Sequence, residues 1–185
     1  MKVKQLIANI NNILVSRGFY RKNKIWNRQS DEYVDVIDIQ TSKYRDAFCV
    51  NLGISEKFVT KMCWNIDGQS FLDEPSCTVR ARLGILSYGK DKWWSLDDDL
   101  EYQEISSKIC DVAIPFFDIN HSVNKMIEYL ESLPGNKYPP ESVYLPLLYY
   151  RKGERQRCMD MLRDIEEKFS GGWRQKVSDI ISSLK

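Results

Sequence analysis

A chain of 185 residues that are 43% hydrophobic, 12% aromatic and 29% charged is long enough to bury one well-filled core. This much apolar and aromatic surface offsets the entropy lost when the backbone is ordered, so an intrinsically disordered chain is excluded. The net charge of +1 creates no strong field towards nucleic acid or a membrane. Because no run of about 18 apolar residues occurs, we expect no membrane span and no membrane partner.

The charge is unevenly distributed along the chain. Residues 1–45 hold nine basic and four acidic side chains, a net charge of +5, whereas residues 91–131 hold three basic and ten acidic ones, a net charge of −7. Two regions of opposite sign can neutralise each other within the fold, or one of them can face a partner of opposite charge. The sequence leaves both alternatives open.

The cysteine and histidine content indicates neither a disulfide framework nor a metal centre. The sequence holds a single histidine, His121, and its cysteines are widely spaced without a C-x-x-C pair. The usual zinc ligand sets cannot be assembled from these residues, so we expect no metal and no cofactor. Buried, reduced thiols are the simplest interpretation. The cysteines are Cys49, Cys63, Cys77, Cys110 and Cys158.

The first residues predict the compartment. Asn9, Asn11 and Asn12 interrupt the apolar residues there, so the unbroken stretch of a signal peptide is missing. Reduced cysteines are typical of a reducing cytosol. We therefore expect a cytoplasmic protein.

In chain order, an amphipathic helix comes first. Apolar side chains recur every three or four positions from Val3 to Leu14, which predicts a helix over residues 2–16. Arg17-Gly18 is a typical helix end, because a cation suits the negative end of a helix and glycine adopts a positive φ without strain.

Between residues 19 and 83 the period changes to two, which predicts strands. Their short connections favour an antiparallel meander of four or five strands. Residues 55–76 are ambiguous: 56–64 fits a short helix or a strand, and 65–76 is typical of a loop. The predicted strands cover residues 19–21, 25–28, 33–40, 47–54 and 77–83.

From Ser95 to the end the pattern is helical. Ser95 followed by Asp98 resembles a capping box, and Pro115 is expected to kink or end the first of these helices. The second, over residues 122–133, stops before Pro134-Gly135. Further helices are predicted over residues 143–150, 155–169 and after Gly171-Gly172. The predicted fold class is α+β, an antiparallel β-sheet meander packed by an N-terminal helix and C-terminal helices.

Trp93 and Trp94, predicted to lie in a loop, are the first candidates for contact with a partner. Tryptophan is prominent among interface hot spots, and adjacent side chains point in different directions, so one ring can be buried while the other is exposed. The acidic residues that follow fit either the solvated start of a helix or a surface for a basic partner. A divalent-cation site is disfavoured, because consecutive helical carboxylates diverge. These acidic residues are Asp97, Asp98, Asp99, Glu101 and Glu104.

Two arginines form another candidate site. Arg80 and Arg82 lie two residues apart, on one face of the last predicted strand. They could clamp an anion through bidentate hydrogen bonds. Alternatively they pair with neighbouring carboxylates, for which Asp35 and Asp38 are the candidates.

The segment from Arg17 to Arg28 is both basic and aromatic. Clustered cations can contact phosphates and exposed rings can stack on bases. A hairpin whose rings face the core and whose cations face water explains the same pattern, and we favour it because the whole chain carries little charge. The residues concerned are Arg17, Phe19, Tyr20, Arg21, Lys22, Lys24, Trp26 and Arg28.

No catalytic motif is present in the sequence. There is no G-x-S-x-G, no phosphate-binding glycine loop and no H-E-x-x-H. His121 could activate Cys110 or Ser122, yet no residue that would orient it can be identified. We therefore expect a protein that is not an enzyme.

The order of several motifs resembles a bacterial family of domains of unknown function, numbered 4304, over about residues 1–133. Gln40-Thr41-Ser42 and Asn51-Leu52-Gly53 stand where that family has its Gln-x-Ser and Asn-Leu-Gly pieces. Residues 134–185 lie outside the resemblance, and we interpret them as a helical extension packed on the sheet domain of residues 1–133. The segments that carry the resemblance are 16–22, 25–28, 36–42, 48–54, 77–84 and Trp93-Trp94.

The resemblance implies no activity, because none is established for the family. Its members are similar in scale and style to small cytoplasmic immunity proteins, which neutralise toxins exchanged between bacteria. The leading hypothesis is a non-catalytic protein-binding module with a toxin domain as partner, and the oligomeric state stays open. The alternative is a protein that binds nucleic acid or an anionic ligand through the basic hairpin or through Arg80 and Arg82.

Overall fold

The computed structural model describes residues 2–134 and 139–184, apart from the side chains of Lys2, Asp99, Tyr102 and Pro139. The chain falls into two compact units. One comprises Met1–Glu56 and Gln69–Ile119, and the other comprises Lys57–Gly68 and Asn120–Lys185. The packing of a tail beginning at residue 134 on a sheet domain of residues 1–133 stays a prediction.

The first unit is built on an antiparallel sheet, and the α+β class is confirmed. The sheet follows chain order from β1 to β5, so the strands form a meander, and the short strand β6 pairs with the first residues of β4. In the described residues the strands are β1 (Tyr20–Lys22), β2 (Ile25–Gln29), β3 (Tyr33–Thr41), β4 (Ala47–Glu56), β5 (Val79–Arg82) and β6 (Trp94–Ser95).

The centre of the sheet is the ladder between β3 and β4. It runs over nine residue pairs, from Tyr33↔Glu56 to Thr41↔Phe48. Side chains alternate between the two faces, so Ile37 and Leu52 share one face while Asp38 and Asn51 share the other. Nearly all side chains of β4 are buried. The sheet is therefore covered on both faces at its centre.

Helix α1 (Lys2–Val15) forms much as predicted, and its apolar stripe is buried at Leu6, Ile10 and Leu14. The helix is tied to β2, because the indole N–H of Trp26 donates to Asn11 Oδ1 at 3.0 Å. It ends where Gly18 adopts a φ of 82° and Phe19 N donates to Leu14 O. Trp26 pairs with Ile37 and so lies on the apolar face.

The other face is covered by residues 69–77. Asn27 exchanges two hydrogen bonds with the backbone of Leu72, one of 2.7 Å to Asn27 Oδ1 and one of 3.0 Å from its Nδ2. Gly53 lies so close to Cys77 that a Cβ there would be 2.5 Å from the thiol sulfur. A strand residue without a side chain is thus what lets this segment lie on the sheet.

Two predictions around β5 are wrong. The strand predicted over residues 77–83 runs only from Val79 to Arg82, and Leu83 begins a helix, α3 (Leu83–Tyr88), that ends at Gly89 with a φ of 69°. Trp94 lies in β6 and pairs with Phe48, whereas a loop was expected. A six-residue helix and a two-residue strand are too short to leave a periodic signal in the sequence.

The acidic helix also differs from its prediction. Asp98 caps it by accepting a hydrogen bond from Leu100 N at 2.9 Å, so α4 spans Asp99–Lys108 and Ser95 is not the cap. A π-helical turn, Ile109–Ala113, follows directly and continues into α5 (Ile114–Asn120). Because proline lacks an N–H and its ring clashes with the carbonyl four residues earlier, the wider turn just before Pro115 accommodates it.

The second unit is helical. Residues 57–64, which the sequence left ambiguous, form helix α2, and it packs with the later helices: Trp64 Nε1 donates to Tyr144 Oη at 2.9 Å. Phe58 and Tyr150 stack with ring centroids 5.7 Å apart. No described helix is both long and apolar enough to cross a membrane. The helices here are α2 (Lys57–Trp64), α6 (Val123–Ser132), α7 (Pro139–Lys152), α8 (Arg155–Lys168) and α9 (Gly171–Ser183); the predicted break at Gly135 lies outside the described residues.

The cysteines are free thiols, and four of the five are buried. Cys110 is partly exposed, and Arg17 donates to its sulfur at 3.2 Å. The thiolate is the reactive form of cysteine, so burial protects a thiol both by excluding reagents and by disfavouring the charge. Burial raises the pKa of Cys49 and Cys158 to about 11, that of Cys63 to about 12, and that of Cys77 well above its ordinary value.

We therefore expect one thiol of the folded protein to react quickly with an aromatic disulfide reagent and the other four to react only as the protein opens. Cys110→Ser should abolish the fast phase and leave the slow one. A fast phase of unchanged amplitude in that variant would contradict the burial described above.

The close approach at Gly53 gives a second prediction. Gly53→Ala should lower the free energy of unfolding by about 1–3 kcal/mol, because the new methyl group overpacks against Cys77. Urea denaturation measures this. Gly172→Ala, where a Cβ meets nothing within 4 Å, is the matched control and should be neutral or stabilise α9 by up to about 1 kcal/mol. Equal stabilities of the two variants would show that residues 69–77 do not press on the sheet.

Candidate binding surface

Three polar side chains lie side by side on the face of the sheet opposite α1. The register pairs Asp38 with Asn51 and Asn51 with Arg82, so they form a row across β3, β4 and β5. Asn51 is buried, and its amide nitrogen donates to Gln40 Oε1 at 3.1 Å and to Asp38 Oδ2 at 3.4 Å. We call Asp38, Asn51 and Arg82 the polar row.

Arg82 carries this row to the surface. Its guanidinium donates to Asp91 Oδ2 at 2.5 Å and lies 5.7 Å from the ring centroid of Trp93. Trp93 is 38% exposed. Asp91 thus fixes Arg82, and Arg82 lies against Trp93. The three residues form a partly exposed cluster, and tryptophan and arginine are residue types that dominate interface hot spots.

Arg80 has a different role from Arg82, although both point to the same face. Its Nε and a terminal nitrogen donate to the two carboxylate oxygens of Glu74 at 2.8 and 3.1 Å. Glu74 is buried in the segment that covers the sheet. The pair therefore fixes residues 69–77 to β5.

The carboxylate partners predicted for these arginines are wrong. Asp35 accepts from Arg28 Nε at 2.7 Å, and side chains at positions 35 and 38 point to opposite faces of β3. Asp38 lies on the same face as Arg82 but accepts from Asn51. The actual partners, Glu74 and Asp91, lie in connecting segments whose positions only the fold defines.

The two adjacent tryptophans point in different directions, as expected, and Trp94 is the buried one. Its ring is 0% exposed and stacks on Phe48 with centroids 6.0 Å apart. Its indole nitrogen has no hydrogen-bond partner in the part of the chain that the structure describes. Trp94 thus packs the core, and Trp93 alone offers a ring to the surface.

The acidic residues after β6 divide between structural and exposed positions. Asp98 is the cap of α4, and Glu101 accepts from the backbone N–H of Ser95 and lies 3.8 Å from Lys92 Nζ. Glu104 pairs with the same lysine at 2.9 Å. Asp97 and Asp98 are exposed, and the side chain of Asp99 lies outside the described residues. The predicted acidic helix start is therefore present, with two carboxylates at the surface.

The sequence reasoning missed two exposed apolar side chains, one in the turn between β3 and β4 and one at the start of α4. Tyr44, in the turn between β3 and β4, is 82% exposed, and Leu100, in the first turn of α4, is 74% exposed. Leu96 N donates to Asp46 O at 2.8 Å, which joins the two turns. The signal for Tyr44 is an aromatic residue inside an otherwise polar connector.

The basic hairpin is largely satisfied within the fold. Phe19 and Trp26 are buried, so neither ring can stack on a base, and Tyr20 packs edge-on against Phe71. Arg28 pairs with Asp35 and with Asp118 at 2.8 Å. Arg21 and Lys22 remain exposed cations.

The residues considered for catalysis do not all belong to one compact unit. His121 and Ser122 belong to the second unit and Cys110 to the first. In residues 2–134 and 139–184, no group of three or more histidine, cysteine, aspartate or glutamate side chains could hold a metal ion.

Fold and surface together define an α+β protein with an antiparallel meander, one face of which carries a partly open polar row. The chain matches the family model described as a domain of unknown function, DUF4304, over residues 10–118, and it belongs to that family. No curated protein and no solved structure matches it. Within the matched range Gln40 and Asn51 bond to each other, and Gly53 provides the space that Cys77 needs.

The polar row predicts a pH dependence. Burial raises the pKa of the Asp38 carboxyl, and the hydrogen bond from Asn51 partly offsets this. A carboxyl whose pKa is higher in the folded state destabilises the fold when ionised, and this cost disappears as the pH falls through the folded pKa.

We therefore expect Asp38→Asn to raise the free energy of unfolding at about pH 7 and to have little effect at about pH 3, where the carboxyl is protonated in both states. Urea denaturation at the two pH values measures the difference. Asp31→Asn, at an exposed position, serves as the control. A destabilised Asp38→Asn protein at neutral pH would show that the charge of Asp38 is favourable in the fold.

Proposed function

We propose that this protein is a non-catalytic protein-binding module of the cytoplasm, of the immunity-protein kind, which neutralises a bacterial toxin domain by tight one-to-one association. The observation that carries this proposal is the Trp93–Arg82–Asp91 cluster at the open end of the polar row. Trp93, 38% exposed in the free protein, offers apolar surface that a partner would bury.

Pre-organisation of the cluster supports this function. Arg82 projects from a strand, Asp91 fixes its guanidinium, and Trp93 directly precedes β6. Side chains that are already ordered lose little conformational entropy on association, so more of the contact energy appears as affinity. Tyr44 on the adjoining turn adds a large exposed ring.

The charge of the surrounding region supports a basic partner. Asp97 and Asp98 are exposed and follow β6 closely in the chain. An acidic rim accelerates encounter with a basic partner and disfavours acidic competitors. A stable complex of this kind buries on the order of 1,600 Å² in total, so the contact must extend beyond Trp93 and Arg82.

The test is coexpression with the products of adjacent genes, followed by calorimetric titration of the purified pair. Trp93→Ala should weaken binding by about 30-fold or more, the effect of losing a hot spot worth about 2 kcal/mol. The same variant should fail to protect cells that express the toxin domain.

Tyr20→Ala is the matched control, because Tyr20 is 40% exposed but lies on the distant hairpin strand β1. It should bind as the unaltered protein does. Equal affinities of the Trp93→Ala and Tyr20→Ala proteins would refute the assigned surface, and the absence of protection against every neighbouring product would refute the immunity function.

A further inference from the structure

A groove of about 320 Å³ lies between α1 and β1, away from the surface just described. From α1 it is lined by Lys4, Ile7, Ala8, Asn11 and Asn12, which recur at helical spacing and so form one stripe of the helix. Arg21 lines it from β1. The volume is at the small end of the range for sites that hold organic ligands.

One polar group of the groove, the amide of Asn11, is fixed as a donor. The indole N–H of Trp26 can only donate, so its 3.0 Å hydrogen bond to Asn11 Oδ1 leaves the amide hydrogens of Asn11 available. The guanidinium of Arg21 lies 6.0 Å from the ring centroid of Trp26. At that distance the ring does not use the N–H groups of the guanidinium, and these can bind an anion at two points.

The cations of the groove lack carboxylate partners. No acidic residue lines it, α1 contains none, and the described residues form no ion pair with Lys4 or Arg21. A second groove, of about 380 Å³ in the helical unit, shows the opposite case. There Arg157 lies within 3.4 Å of both Glu131 and Glu154, so its charge is already balanced.

We propose that the groove between α1 and β1 binds a small organic phosphate, with Arg21, Lys4 and the amide of Asn11 holding the phosphoryl oxygens. A phosphate monoester carries nearly two negative charges at neutral pH and three acceptor oxygens, which match two cations and a fixed amide donor. A carboxylate would leave one cation uncompensated. Ile7 and Ala8 provide an apolar floor for the organic part.

The proposal does not depend on a protein partner and is tested on the isolated chain by NMR titration with phenyl phosphate. We expect saturable shifts of the amides of α1 and β1, and tighter binding above about pH 6 than below it, because the second ionisation of the phosphate lies there. Arg21→Gln and Lys4→Gln should each weaken binding about tenfold or more. Thermal melts establish that both variants fold.

Lys22→Gln is the matched control. Lys22 is an exposed cation next to Arg21, but it lies against Phe71 with its Nζ 4.7 Å from the ring centroid and does not line the groove. It should bind phenyl phosphate within twofold of the unaltered protein. An equal loss with Lys22→Gln, benzoate binding as tightly as phenyl phosphate, or no saturable shift of α1 would each overturn the proposal. If a single-stranded oligonucleotide bound more tightly than phenyl phosphate, and Lys22→Gln also weakened that binding, the groove would instead be part of a nucleic-acid surface.

Discussion

Strands β3 and β4 pair over nine residues, and the burial of most side chains on this ladder constrains everything placed on it. Apolar side chains on one face need a helix over them, which α1 supplies. The other face places half-buried Asp38 and buried Asn51 near the centre of the ladder, where a polar group without a partner is costly. The hydrogen bonds among Asp38, Gln40 and Asn51 meet that requirement and give the face its chemical character.

Neighbouring rows of this polar face serve different purposes. The row of Asn27, Gly53 and Arg80 holds residues 69–77 by hydrogen bonds, close approach and an ion pair. The next row along the ladder is the polar row, which ends with Arg82 beside the Trp93 ring and remains partly open. Two arginines of the same strand face thus act differently, because a covering segment reaches one of them and not the other.

Much of the fold follows from periodicity and end signals. The three- and four-residue spacing of α1, its end at Gly18 and the alternation of β4 each reflect which side chains must face the core, and local geometry decides them. The site was predicted less well. Trp94 was a candidate contact and is buried, the exposure of Tyr44 and Leu100 was not predicted, and Arg80 and Arg82 pair with carboxylates from other segments.

The sequence by itself determined that a two-residue period between helices builds an antiparallel meander, because alternation and short connections depend on neighbours in the chain. It also placed an acidic helix start next to a tryptophan pair. Only the tertiary structure decided which tryptophan faces outward, which carboxylate each arginine contacts, and that Lys4, Asn11 and Arg21 line one groove. Those outcomes depend on contacts between residues far apart in the chain, and periodicity carries no information about such contacts.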